Sequence, residues 1–549
     1  MGGPRRFVVG RLHNASDRGI PQSRKRPDWQ RQHWLLLKFK SIFSTPQQPE
    51  VRGRQTAACG SKAAASTKRL PRSRAPSVVL PRPAVANAGH RTHRRATGIA
   101  PHRLEDRPRI ALVLCRKPRR ERGASTAVLP PDCDNARPRT RSEGMARVVV
   151  IGGGITGTLS ALELVRSGCE VVLLEAAHIG AGSSSRTAAG IRQQFSTTGT
   201  VIAMRHSVNT YRDFGELVGG DARAIVQNGY LFLHDDDDAW QQAQQTILVQ
   251  QQAGLSEVEA LGRDDLIKRF PWVDGAVAVG GTWCPSDGFL LPQNVYQEAA
   301  RRFRELGGQV VNGAAVQQAE HRGRSLVAVN TPKGRFEADV FVDCTNAWAG
   351  RTGEILGGTP LPIDPLKRYL WFLHREQALP AETLRNMPMV VAPSGAYCRP
   401  ENADTLLFGK KYDVAASPGF SYDDQDTIDP RFTHNAGHDA VPYEVWMELA
   451  SMVPALAEFS GVAATTAGFY GTTPDHNPYI DYDPAVDNLV RAVGFSGHGA
   501  MMGPFSARAV SALVTAGCDI PAVELPEGSV PLDVFRIGRS FDHAETMVI

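Results

Sequence analysis

Arg147-Val148-Val149-Val150-Ile151-Gly152-Gly153-Gly154-Ile155-Thr156-Gly157, with the residues that follow as far as Val171-Val172-Leu173-Leu174-Glu175, decides the fold class of this 549-residue chain. Val148–Ile151 is an unbroken β-branched run, which predicts a parallel strand buried on both faces. Gly152, Gly154 and Gly157 stand in GxGxxG spacing directly after it. A helix is predicted next, with Leu159, Leu162 and Val165 on one face and Gly168 at its end. Val171–Leu174 reads as the second strand. Gly152 permits the tight turn, Gly154 lets a pyrophosphate approach the backbone, and Gly157 lets helix and strand pack closely. The amides of Ile155 and Thr156 open the helix and face the phosphates. Glu175, eighteen residues after Gly157, is placed to accept from the adenosine ribose hydroxyls and disfavours a 2′-phosphate. Strand, glycines, helix, strand and acid in this order predict a dinucleotide-binding α/β unit.

Upstream the composition changes. Residues 1–144 carry 32 Lys+Arg against 9 Asp+Glu, whereas the remainder carries 30 against 47. The first part is rich in Arg, Pro, Ala and Ser, and its apolar runs are short, so it is expected to be a disordered basic extension. We expect it to be translated upstream sequence, with Met145 as the initiator. The competing readings are an organelle-targeting segment, which would place the protein in an organelle matrix, and a nucleic-acid-binding arm. No aromatic residues interleave with its charges, so no nucleic-acid partner is expected. Eight cysteines without paired spacing suggest neither a disulfide framework nor a metal site, and fit a reducing, cytoplasmic compartment. No apolar run approaches the length of a membrane span.

Downstream of Glu175 the reading narrows. Gly180-Ala181-Gly182-Ser183-Ser184-Ser185-Arg186-Thr187-Ala188-Ala189-Gly190-Ile191-Arg192-Gln193-Gln194-Phe195 resembles the segment beneath the flavin in the D-amino-acid oxidase superfamily. That superfamily includes sarcosine oxidases, glycine oxidase and dimethylglycine dehydrogenase. Trp283–Pro292 is similar to the segment that returns to the cofactor domain. Val340–Gly350 is similar to the strand and turn usually written AAGAWA, with Cys344-Thr345-Asn346 in place of Ala-Ala-Gly. Tyr470–Asp475 resembles the Y-x-x-T-P-D turn. Asn488–Pro504 resembles the strand–GFSGHG–helix element, and Leu532–Phe541 resembles the family's C-terminal segment.

The resemblance implies FAD, with contacts from the first glycine turn, from Ser184, Ser185, Arg186, Ala189 and Gly190, and from Gly497, His498, Gly499 and Met501. The helix after Met501 would aim its dipole at the pyrimidine end of the flavin. Relatives that bind flavin covalently have Cys or His where this chain has Gly468 and Thr187, so the FAD is expected to be non-covalent. The implied fold is α/β: a Rossmann-like FAD domain from 145–220, 286–352 and 462–541, and a substrate domain with a mixed or antiparallel sheet from 221–285 and 353–461.

The implied chemistry is oxidation of a C–N bond in a small amine or amino acid, with oxygen or an electron-transfer protein as acceptor and a partner subunit as a further possibility. Arg192 is the candidate for a substrate carboxylate. Tyr397 and Arg399, two apart on a strand, form a candidate lid pair, and His498 is a candidate polar contact or proton acceptor. Met501 replaces the Lys that holds the carboxylate in monomeric sarcosine oxidase. Lys410 and Lys411 fall near, but not at, the position of an oxygen-activating Lys. Trp283 and Trp371 read as core or interface. Arg192–Ser196 also resembles a flavoprotein assembly factor, so a flavin-binding scaffold and an electron-transferring subunit stand as alternatives.

Overall fold

The computed structural model describes residues 145–374, 379–411, 421–435, 437, 440–542 and 544–547. The expectation of disorder in 1–144 lies outside the described residues.

Six strands form the sheet that carries the first motif. Their spatial order is Tyr479–Tyr482, Leu489–Val493, Val340–Asp343, Arg147–Ile151, Glu170–Glu175 and Gln309–Asn312. All neighbours are parallel except the Tyr479–Tyr482 edge. The β-branched run is continuous because both faces are covered. Val148 and Val150 pack with Leu159, Val295, Phe303 and Phe505 from the helices Ile155–Arg166, Pro292–Glu305 and Gly503–Ala516. Val149 and Ile151 pack on the other side with Leu326 and Val329, which belong to the small sheet Gln318–Glu337. Alternation on a two-sided strand thus feeds two cores. One polar cluster interrupts this packing: Arg491 bridges Asp343 and Asp483 at 3.0 Å each, all three being at most 1 % exposed.

A second sheet has eight strands. Its order is Val462–Thr472, Asp364–His374, Thr405–Lys410, Ala396–Asn402, Met389–Val391, Tyr230–His234, Gly280–Cys284 and Glu259–Gly262. The pair Met389–Val391 and Tyr230–His234 is parallel and the rest are antiparallel, so the sheet is mixed. Alternation again separates two faces. Leu231, Trp371, Cys398 and Phe408 pack beneath the helix Val441–Met452. Tyr230, Phe232, Leu370, Met389, Val391, Tyr397 and Leu407 face the other way, against Ala188 of the Ser/Gly/Ala loop. A three-stranded ribbon, Gly190–Ile191 with Gly288–Leu290 and Ile225–Val226, sets Arg192 beside Asp287. No helix among the described residues is long and apolar enough to cross a membrane.

Candidate functional site: a cleft joining two glycine turns

The first turn follows from the lack of side chains. Gly152 has φ +106°, and a Cβ there would lie 2.9 Å from the Cys344 carbonyl oxygen. A Cβ on Gly157 would lie 1.8 Å from the Gly152 carbonyl oxygen. Only glycine permits strand and helix to approach this closely. The helix Ile155–Arg166 has no acidic residue in its first turn and no side chain from its own N-cap. Its first amide, on Ile155, donates to Ser184 Oγ at 2.9 Å. Glu175 accepts from Gly153 N–H at 2.7 Å and from Ala177 N–H at 2.9 Å. Each carboxylate oxygen keeps a further lone-pair direction, and Glu175 lines the cleft.

From this turn a cavity of about 510 Å³ runs to the second one. Gly152–Thr156 and Glu175 line one end, and Phe495, Gly497, Gly499 and Ala500 line the other. Cys344, Thr345 and Asn346 border its middle. Asn346 adopts φ +48°, and its Oδ1 accepts from the amides of Gly494 and Phe495 at 3.1 Å each. Asparagine tolerates the left-handed region, so here it replaces a glycine and also ties two crossovers together.

An elongated cleft with a glycine cradle at one end, an acid beside it and a helix start free of acidic side chains fits FAD. The pyrophosphate would be held by Gly154–Thr156, the ribose by Glu175, and the ring end by Thr187–Gly190 and Gly497–Met501. Ser184 lies in the cleft. Ser185 is exposed and bonds to Gly182 and Arg186. Arg186 bonds to Asp426 and the Ala181 carbonyl; those two residues border the cleft, whereas Ser185 and Arg186 line neither it nor the smaller cavity beside it.

A second cavity, about 40 Å³, adjoins the ring end. It is lined by Thr187–Gly190, Arg192, Tyr230, Met389, Tyr397, Tyr470, Gly497, His498, Ala500 and Met501. Arg192 is fully buried, its guanidinium 3.9 Å from the Phe195 ring centroid. Its Nη atoms donate to the carbonyls of Gln194 and Met547, while Nε has no hydrogen-bond partner among the described residues. Burial lowers its pKa, opposed by Tyr230, Glu545 and Asp287 nearby. Asp287 is also fully buried, and burial raises its carboxyl to about 6. It accepts from Gln193 N at 2.9 Å, Gln193 Nε2 at 3.0 Å and Gln194 Nε2 at 3.1 Å, so it braces the residues after Arg192. His498 meets Phe195 edge-on at 5.2 Å, and burial together with the Arg192 charge brings its pKa down to about 3. It is therefore a neutral imidazole at physiological pH, suited to a polar contact and weak as a proton acceptor.

Tyr397 and Arg399 do share a face, yet only Tyr397 reaches the cavity. Arg399 donates to the Ala188 carbonyl at 2.6 Å and pairs with Glu401 at 2.7 Å, which positions the loop. Lys410 pairs with Glu448 at 2.6 Å on the opposite sheet face. Trp371 is core. Sequence reasoning did not single out Asp287, Tyr230, Arg368 or Met547. Arg368 sits on the site-facing side with its guanidinium 5.4 Å from the Tyr470 ring centroid. The alternation Arg368/Leu370/Phe372 against Tyr369/Trp371/Leu373 carried that signal.

Comparison with known proteins agrees with this geometry. The bovine (Bos taurus) FAD-dependent oxidoreductase domain-containing protein 1 is 28% identical over 411 residues, 67% of this chain and 81% of that protein. Mouse (Mus musculus) mitochondrial sarcosine dehydrogenase is 24% identical over 418 residues, 74% of this chain and 43% of that protein. Among solved structures, L-proline dehydrogenase from P. horikoshii superposes with TM-score 0.60 at 29% identity, covering 68% of this chain and 94% of that one. Glycine oxidase from Geobacillus kaustophilus shares the fold, with TM-score 0.59 at 21% identity, over 72% of this chain and 100% of that one. Residues 147–513 match the family described as FAD dependent oxidoreductase, and the chain belongs to that DAO family of flavoenzymes.

Proposed function

We propose that the protein oxidises the C–N bond of a small amino acid or N-alkyl amino acid. The carbon beside the neutral nitrogen gives up a hydride, which leaves an iminium cation (a protonated imine), and water hydrolyses that to a carbonyl product and a protonated amine. Bound FAD would supply the two-electron acceptor at N5, returned to its oxidised form by oxygen or an electron-transfer protein. The observation that carries this reading is the buried Arg192 at the small cavity, beside Tyr230, Tyr397 and His498 and next to Gly497–Met501. A buried guanidinium calls for an anionic partner, and its planar fork suits a carboxylate. Tyr230, Tyr397, Tyr470 and Met389 give the cavity a largely aromatic and apolar wall, and the neutral His498 adds no charge that would disfavour an amine. The names of the similar sarcosine and L-proline dehydrogenases support the same substrate class.

The test is an anaerobic screen of amino acids and N-methyl amines against the FAD-loaded protein, scored by bleaching of the flavin absorbance. We expect bleaching by one or more carboxylate-bearing amines. Bleaching by none of the panel would remove the reading. Reoxidation by oxygen and by an artificial acceptor then separates oxidase from dehydrogenase.

A further inference from the structure

Residues 544–547 pack back against the body of the fold. Arg539 clamps Asp475 through two bonds, Nε to Oδ2 at 2.7 Å and Nη2 to Oδ1 at 2.8 Å, and fixes where the chain departs. Glu545 N–H donates to the Asp475 carbonyl at 3.1 Å. The Glu545 side chain is buried, with 2 % exposure for the residue. It accepts from Ser196 N–H at 3.0 Å, from the Ser196 hydroxyl, and from Met547 N–H at 2.9 Å. Thr546 N–H donates to Ser196 Oγ at 3.2 Å. The Met547 carbonyl then accepts from Arg192, and the Met547 side chain packs on the cluster of Tyr230, Phe232, Leu370, Met389 and Tyr397.

We propose that residues 544–547 are an internal occupant of the substrate site, displaced by a carboxylate-bearing ligand with an apolar side chain. This rests on the reading of Arg192 as the carboxylate anchor. The tail presents an oxygen to the guanidinium and an apolar side chain to the aromatic wall, which are the two features such a ligand would present. The charge balance points the same way. Glu545 and Asp287 are the carboxylates whose fields act on Arg192. When the tail leaves, Glu545 leaves with it, and an incoming carboxylate restores the lost negative charge in the buried site. An amine without a carboxylate would leave the guanidinium underbalanced, which is costly in a desolvated pocket. Nε of Arg192, which has no partner among the described residues, gives that carboxylate a second donor. The apolar wall that now holds Met547 is then the side-chain subsite.

Hydrogen exchange of the FAD-loaded protein tests this without turnover. The probe is 4-methylpentanoate, a carboxylate with an apolar chain and no amine to oxidise. Its controls are acetate and isoamylamine. We expect 4-methylpentanoate to speed exchange of the Glu545 and Met547 amides at least tenfold at saturation, with the two controls changing it less than twofold. Glu545→Ala removes the tail's charged anchor and should lower the half-saturating 4-methylpentanoate concentration about tenfold. A chain ending at Asp542 should match Glu545→Ala. Unchanged exchange with 4-methylpentanoate, or unchanged affinity in Glu545→Ala, overturns the proposal. Failure of every amine to bleach the flavin, with the exchange response intact, would instead remove the oxidation reading and leave the occupant in place.

Discussion

Alanine at Gly157 puts the glycine-turn geometry to a quantitative test. The added Cβ would sit 1.8 Å from the Gly152 carbonyl oxygen. A comfortable carbon–oxygen approach is about 3.3 Å, so turn and helix must part by about 1.5 Å. The turn cannot yield readily: Gly152 already occupies φ +106°, and its amide donates to the Leu174 carbonyl at 2.8 Å. The start of the helix Ile155–Arg166 must therefore recede. Overpacking of this kind costs ~1–3 kcal/mol of stability. The larger effect falls on FAD. Retreat of the helix start withdraws amides from the pyrophosphate, and each hydrogen bond to a charged group contributes ~1.5–3 kcal/mol. Loss of one such bond raises the Kd for FAD by roughly 10- to 150-fold. Quenching of flavin fluorescence on titration into apoprotein gives the Kd, and a melt of the same apoprotein gives the stability term. A variant with Kd within threefold of the parent and an unchanged Tm would refute the packing argument.

Three further outcomes follow from other parts of the molecule. Arg192→Lys keeps the charge but loses the fork, so kcat/KM for amino acids should fall roughly 100-fold, while amines without a carboxylate change less than threefold; equal losses for both would deny Arg192 its carboxylate role. His498 has a folded pKa of about 3, below its unfolded value of about 6.5. It therefore contributes stability present above about pH 6.5 and lost as pH falls towards 3, with a slope of about 1.4 kcal/mol per pH unit. His498→Gln should flatten that acid limb in urea titrations at pH 7, 6, 5 and 4. Asp287, raised to about 6, acts with the opposite sign over the same window but is common to both proteins and cancels in the comparison. Arg491→Leu strands Asp343 and Asp483 in the core and should destabilise by ~3–5 kcal/mol, read as a drop in urea midpoint; a change under 1 kcal/mol would mean water reaches the cluster.

Local patterns made the cofactor end of the cleft readable. Val148–Ile151, the spacing of Gly152, Gly154 and Gly157, and the Gly497–Gly499 turn each declare their conformation within a few residues. The substrate end depends on distant partners. Asp287 is brought beside Arg192 by the pairing of Gly190–Ile191 with Gly288–Leu290, and nothing near it in sequence marks it as the brace for Gln193 and Gln194. Arg399 was placed on the right face, but its direction is decided by the Ala188 carbonyl more than two hundred residues away. The substitution of Asn346 for glycine reads as a departure in one dimension. It makes sense once its side chain is seen to cap Gly494 and Phe495. Met547 lies beyond the last recognised segment, and periodicity cannot place a single methionine against Arg192.

The strand order of the six-stranded sheet has a consequence for biosynthesis. Val340–Asp343 lies between Arg147–Ile151 and Leu489–Val493, so the cradle acquires its opposite wall only when those later strands have been made. A nascent polypeptide released at residue 480 would own the phosphate loop and still lack the ring-side turn. A complete flavin cleft thus requires residues up to the Gly497–Gly499 turn. Because a ligand that prefers the native state stabilises it by mass action, bound FAD would hold the strands that flank the cleft together.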